Sequence, residues 1–509
     1  MKKLLCLLCF GLFALSGNTF AQLEDIEIEG SNSLRWENGD EVDERRANNE
    51  YPNNTIARRF VENQLRLDLY ANNLRFGGRL LYFRPSDYDK YQYGIADTTH
   101  FDKLYIEAKI AQLSLRAGDF SELWGYGLAL SLFENRDLYF DSELEGIRAK
   151  LEVGPLRLTG LSGTTPNGFL VKRTDVTAGR AEVGGSEGAL GFSYVRNDSG
   201  IYRESNVAAV DWKFTRGVAT VYGEQAWKDT YIGKHPDGSD RILFGRASFW
   251  GINLNKWNWS LLLEYNNYNY KDITPIQNPP AVYREVGPRL LQGREPHYLN
   301  IGDEVGYQLE LSGSVTEEIY STFHYNLSSH HPENQGGFPR PTLQQEDSPF
   351  WEMFGNAEWY LPGGRTTFLE LGANEEASVV WQDRLWAHAK YTTPFKDNQE
   401  LEFEVEQLLI TEHIGDDDHD YHDQLFSVGW IPSGGFSIYA LYQMSDDENL
   451  KKKEGDNWLS VESSVSFGGG KHRLILFYGR ERGGLKCSNG VCRQVQAFEG
   501  FRLSLETSL

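Results

Sequence analysis

The sequence predicts an all-β chain, closed into a transmembrane antiparallel up-and-down β-barrel of about 22–24 strands. Three observations predict it. Amphipathic stretches of about nine to twelve residues, enough when tilted to cross a bilayer's hydrocarbon, recur to the end of the 509-residue chain. Their connectors alternate between short and long, as short periplasmic turns and long extracellular loops would. Period-two patterning is cleanest in the last stretch, where Phe501, Leu503, Leu505, Thr507 and Leu509 alternate with Arg502, Ser504, Glu506 and Ser508. Such a strand stays in lipid only if both edges are paired, which requires closure.

In chain order, residues 1–21 read as a secretory signal peptide. Lys2 and Lys3 form its positive end, Leu4 to Leu15 its apolar run, and Thr19-Phe20-Ala21 a cleavage site before Gln22. The apolar run is too short to span a membrane, and Cys9 lacks the small residue that precedes a lipidated cysteine. Residues 22–509 then form one barrel. Candidate strands are 29–37, 60–71, 74–83, 101–111, 112–119, 144–153, 155–162, 175–183, 188–196, 206–214, 217–226 and 241–251. The second half adds 257–267, 303–313, 317–327, 350–361, 366–374, 383–393, 399–409, 422–432, 434–444, 456–467, 471–480 and 496–509. Asn72-Asn73, Gly154-Pro155, Leu361-Pro-Gly-Gly364 and Gly468-Gly-Gly470 carry the chemistry of tight turns. Long connectors are 84–100, 120–143, 227–240, 268–302, 328–349, 410–421, 445–455 and 481–492.

Composition agrees with a barrel and excludes several functions. Mean hydropathy is only −0.51, because the lumen-facing half of each strand is polar, while 27 Tyr and 13 Trp suit interfacial girdles. A net charge of −23 makes nucleic acid an unsuitable partner. No fixed repeat marks a propeller or solenoid. Walker A and HExxH motifs are missing, so no enzyme is expected. A receptor plug domain would need far more chain than precedes the second strand.

Parity assigns the faces. With Leu65, Leu67 and Leu69 outward, Arg66 and Asp68 point inward. The same test places Arg75, Arg79, Lys103, Arg116, Arg148, Lys150 and Arg157 in the lumen as a basic wall. A Lys or Arg facing lipid at the midplane would cost about 2–4 kcal/mol. Glu402, Glu404 and Glu406 alternate with Leu401, Phe403 and Val405 and form an acidic wall, joined by Glu264 and Glu370. Opposed walls would set a transverse field across a wet channel; mutual pairing within a polar interior leaves the same pattern.

The stretch 119–141 is too apolar for a solvated loop, and Gly125 and Gly127 interrupt any strand. It is expected to fold into the barrel as a constriction, with Trp124 and Leu128 packed on the wall and Asp119 or Glu122 paired to the basic arc. Gly118-Asp119, Trp124-Gly125-x-Gly127-Leu128, Ser131, Asp141 and Gly146 resemble an uncharacterised porin-like outer-membrane family of Bacteroidota. The tail Gly483-Gly484…Cys487…Gly490-x-Cys492 with Phe498-Glu-Gly500 is similar to that family's end. The resemblance implies an outer-membrane barrel and no established activity. Barrels of this kind usually end on an aromatic residue, from which Leu509 departs.

Two further clusters draw notice. His413-Ile-Gly-Asp-Asp-Asp-His-Asp-Tyr-His-Asp423 is dense in ligand types but lacks helical or EF-hand spacing, so it reads as a solvated acidic loop that divalent cations bridge to lipopolysaccharide. No metal or cofactor site is assigned. Cys487 and Cys492 enclose the turn-like Ser-Asn-Gly-Val in an oxidising compartment and are expected to form a disulfide at a hairpin tip. The function expected is a porin-like channel of the Gram-negative outer membrane for small solutes, weighted towards anionic or zwitterionic ones. The alternative is a closed barrel that is structural or holds a partner outside. Oligomeric state and solute identity have no sequence signal.

Overall fold

The computed structural model describes residues 26–509 apart from 47–48, 169–170, 200–203, 236–238, 272–273, 284–290, 292, 294–296, 298, 334–337, 378–380, 397, 416, 433–434 and 489–490. The expected signal peptide lies outside the described residues. Twenty-four strands form one antiparallel sheet, each paired with its neighbours in sequence, and the last closes on the first. Each expected strand corresponds to one observed strand. At the seam, Ile26–Val42 meets Phe498–Ser508 with Leu34 opposite Leu505 and Trp36 opposite Leu503. A one-residue slip there would turn these apolar side chains to the polar face, so the alternation itself pins the register.

One rim carries tight turns. Asn72, Ala111 and Trp257 take φ of 52°, 52° and 56° in two-residue connections, the positive φ that twist-matched hairpin turns require. The other rim carries the long connections, including helix Asp87–Tyr93, helix Glu448–Glu454 and the small hairpin Gly484–Ser488/Val491–Val495.

Two connectors expected to be loops are strand instead. Ala219–Lys234 and Asp240–Lys256 run through most of 227–240, and Gln399–Ile414 with Asp417–Ile431 runs through most of 410–421. The segment 413–423 is therefore a strand hairpin rather than a loop, with Asp418 and His422 still exposed. His413 Nδ1 meets Asp418 at 2.7 Å and His422 Nδ1 meets Asp446 at 2.7 Å. Strand tips beyond the apolar belt need no greasy face, so the backbone ladder continues where period-two apolarity stops.

Outward positions are apolar around the circumference. Phe244 is 71% exposed and Leu371 67%, and Ile147, Phe192, Leu385, Phe403 and Tyr478 are also exposed. The main buried cluster lies inside the barrel, between inward wall residues and chain that has entered the lumen.

Candidate functional site

Strand Ala219–Lys234 shows how the lumen is built. Val221 and Trp227 face out, which turns Tyr222, Glu224, Ala226 and Lys228 inward. Glu224 is 1% exposed. Its carboxylate accepts the backbone N–H of Tyr126 at 2.6 Å, Leu128 at 3.2 Å and Ala129 at 3.1 Å. Three amides converge because Gly125 and Gly127 take φ of 55° and 86°, which curls the chain into an anion-binding nest. A Cβ on Gly125 would stand 2.7 Å from Glu224 Oε2, and one on Gly127 2.4 Å from the Asn278 carbonyl. The Trp-Gly-Tyr-Gly-Leu spacing thus has a physical reason: it wraps a wall carboxylate.

Around that clasp, Trp124, Leu128 and Leu130 are buried against Val195, Val207, Ala209, Ala247, Phe249 and Tyr268 from four strands of the wall. The segment returns along the basic arc. Glu122 pairs with Arg148 at 2.9 Å and Lys150 at 2.9 Å, Glu134 with Arg79 at 2.6 Å, and Asp141 with Lys103 at 2.6 Å. Asp119 accepts the Leu104 N–H at 2.7 Å. The remaining basic residues have counter-charges on their own wall. Arg66 and Arg75 each meet Asp68 at 3.3 Å, Arg116 meets Glu107 at 3.3 Å, and Arg157 meets Glu182 at 2.7 Å. Charge is balanced locally rather than across the bore.

On the acidic wall, Glu264 accepts from Tyr222 and Gln308. Glu370 accepts from Asn356 at 3.1 Å and Trp386 at 3.2 Å, Glu402 pairs with Lys390 at 2.9 Å, and Glu404 faces His388 at 2.9 Å. Glu406 accepts the Leu291 N–H at 2.9 Å. That donor belongs to a second inward segment, within 270–303, which the sequence reading left outside as a loop.

The two segments interlock. Ser131 N–H donates to the Ile276 carbonyl at 2.7 Å, Asn278 N–H to the Gly127 carbonyl at 3.1 Å, and the Tyr270 hydroxyl to the Leu128 carbonyl at 2.7 Å. Lys228, itself buried, donates to Gln277 at 2.9 Å. His297 stacks on Phe350 with ring centroids 4.0 Å apart and meets Glu376 at 3.0 Å. Burial alone would depress the His297 pKa, but the hydrogen bond and charge of Glu376 more than offset it and the ring sits above 6.5. Ile276, Val282, Leu299 and Ile301 are buried with the first segment. Their density in so long a connector was the available signal.

The hairpin bearing Cys487 and Cys492, which stand opposite each other in register, leans over the same mouth. Tyr93 donates to the Gln494 carbonyl at 2.8 Å, and Arg493 lies 4.0 Å over the Tyr139 ring. Beside the first inward segment a cavity of about 480 Å³ is lined by Glu122, Tyr126, Lys150, Arg157, Arg180, Glu182, Asp211 and Lys213. The site thus pairs a mixed-charge chamber with a packed obstruction, and no hydrolytic triad is assembled among the lining residues.

Comparison with known proteins adds a family. The description "Family of unknown function (DUF6029)" matches residues 1–353 and 370–509. No curated protein matches the sequence. Among solved structures, the translocation pore of the P pilus usher PapC is 10% identical with a TM-score of 0.46, covering 95% of this chain and 99% of that one. Pseudomonas aeruginosa OpdL is 11% identical with a TM-score of 0.39, covering 69% and 94%. A BenF-like porin from Pseudomonas fluorescens Pf-5 is 9% identical with a TM-score of 0.39, covering 78% and 99%. Likeness at this level carries no functional statement.

Proposed function

The chain belongs to the DUF6029 family of unknown function, and from the geometry we propose that it is an outer-membrane channel for small polar solutes, narrowed by its own inward segments. The observation that carries this reading is the contrast of faces. An apolar outer belt bearing residues such as Phe244 and Leu371 suits lipid, while the inner face is charged and holds an open chamber. Acidic side chains at the long-loop rim, such as Asp418 and Asp446, suit divalent-bridged contact with lipopolysaccharide, so in this reading that rim faces outside.

Selectivity follows from the local pairing. Because Arg157, Arg180 and Lys150 sit among Glu182, Asp211 and Glu122, the chamber presents both signs within one solute length. That favours zwitterionic solutes, with a weak anionic preference from the arc of Arg79, Arg116, Arg148 and Lys150. A disulfide between Cys487 and Cys492 would stiffen the hairpin over the mouth.

The second reading is a closed barrel acting as a structural or partner-holding surface protein, favoured by the interlock of the two inward segments. Planar-bilayer recording of refolded protein separates them. Discrete current steps with weak selectivity under a KCl gradient are expected. No stable steps would favour the closed barrel, and strong cation preference would reject the solute preference.

A further inference from the structure

We propose that His388, Glu404 and Glu406 form a lumen-facing site for a first-row divalent cation, with Zn²⁺ the best-matched ion. Strand Trp381–Lys396 pairs with Gln399–Ile414 so that His388 stands opposite Glu406 and Lys390 opposite Glu404. Leu385, Phe403, Val405 and Leu409 are exposed on the outer face, which by alternation puts the three candidate ligands inside. One ligand atom from each lies within 4.8 Å of the others. His388 Nε2 and Glu404 Oε1 are 2.9 Å apart. Two ligands about 2.0–2.1 Å from one zinc ion, at tetrahedral to right angles, stand about 3–3.4 Å apart. The pair is thus already near coordination spacing.

Three further observations describe the site. His388 is 3% exposed, with its Nε2 turned to Glu404 and its Nδ1 without a hydrogen-bond partner among the described residues. The Leu291 N–H fixes one Glu406 oxygen, which orients that carboxylate. Glu370 occupies the register position beside His388 on the next strand, and the nearby cation Lys390 is engaged by Glu402.

The donor set decides the class of ion. One imidazole nitrogen with two carboxylates suits Zn²⁺ and its first-row neighbours, whereas Ca²⁺ and Mg²⁺ prefer all-oxygen shells. Three protein ligands leave a coordination position open, and Glu404, the least buried of the three, gives the ion access from the lumen. The proposal does not depend on whether the barrel conducts.

Titration of refolded full-length protein with ZnCl₂ by calorimetry tests it, with Co²⁺ absorption as a second readout of nitrogen and oxygen ligation. His388→Asn and the conservative Glu404→Gln/Glu406→Gln pair should each weaken one class of site about tenfold or more. His413→Asn/His422→Asn, at the exposed rim, should leave that class intact. Heat-modified gel migration checks that each barrel has folded, and Glu404→Gln alone serves if the others do not fold. Equal affinity in wild type and folded site variants, or loss in the rim variant instead, would overturn the proposal.

Discussion

Glu224 illustrates how much one inward carboxylate can organise. Its three amide donors come from a turn that contributes no side chain to the contact, so the interaction is invisible to any reading of side-chain chemistry. Hydrogen bonds to a charged group contribute about 1.5–3 kcal/mol each when buried. Glu224→Gln should therefore loosen the first inward segment by about 2 kcal/mol or more, because the amide puts N–H against N–H. Gly125→Ala should loosen it by about 1–2 kcal/mol through the left-handed backbone alone, before the contact with Glu224 is counted. Hydrogen–deuterium exchange of residues 122–132 measures both. Unchanged protection there would remove the clasp from the account, and lost protection in the wall strands would mean that the barrel itself had been damaged. The glycines could be singled out in the sequence because they interrupt an apolar stretch too long and too greasy for a solvated loop; their partner could not, since Glu224 looks like any other inward acid.

At the scale of elements, parity is legible where a strand lies within the apolar belt, as where exposed Phe403 and Val405 alternate with Glu402, Glu404 and Glu406. It assigned Arg79, Lys103 and Arg148 to the lumen, and each of them meets a carboxylate of the first inward segment or its flank. It failed at the strand tips. Between His413 and Asp423 the outward positions are no longer apolar, so the period vanished although the ladder continued. The segment within 270–303 was missed for a different reason. Its apolar residues have no regular spacing, and no strand among its described residues imposes a period, so composition was the clue that remained. That segment is pinned by His297 on Glu376. With its pKa raised above 6.5 in the fold, the protonated ring contributes stability that is fully present below the unfolded value and lost as pH rises through the folded one. Exchange of the peptide 291–303 should accordingly quicken as pH is taken from neutral into the alkaline range, after correction for intrinsic rates. His297→Gln should abolish that pH dependence; its persistence in the variant would assign the effect to another group.

For the whole molecule, closure follows from arithmetic that the sequence carries openly. Strand ends recur with the same alternation from Leu34 to Leu505, and these two residues meet at the seam. What the sequence left unread is how full the lumen is. Local pairing of Arg66, Arg75, Arg116 and Arg157 with acids on their own wall depends on which residues register brings opposite each other, and register across distant strands is set only by the completed ring. The same holds for the meeting of Trp124 with residues more than a hundred positions later. In the channel proposed above, the bore is set by the two interlocked segments that cross the interior, not by the wall. Single-channel conductance of the full-length protein against a variant lacking residues 122–134, both reconstituted in planar bilayers, tests that claim most directly. Larger unitary steps in the deletion variant are predicted; equal steps in the two proteins would contradict it.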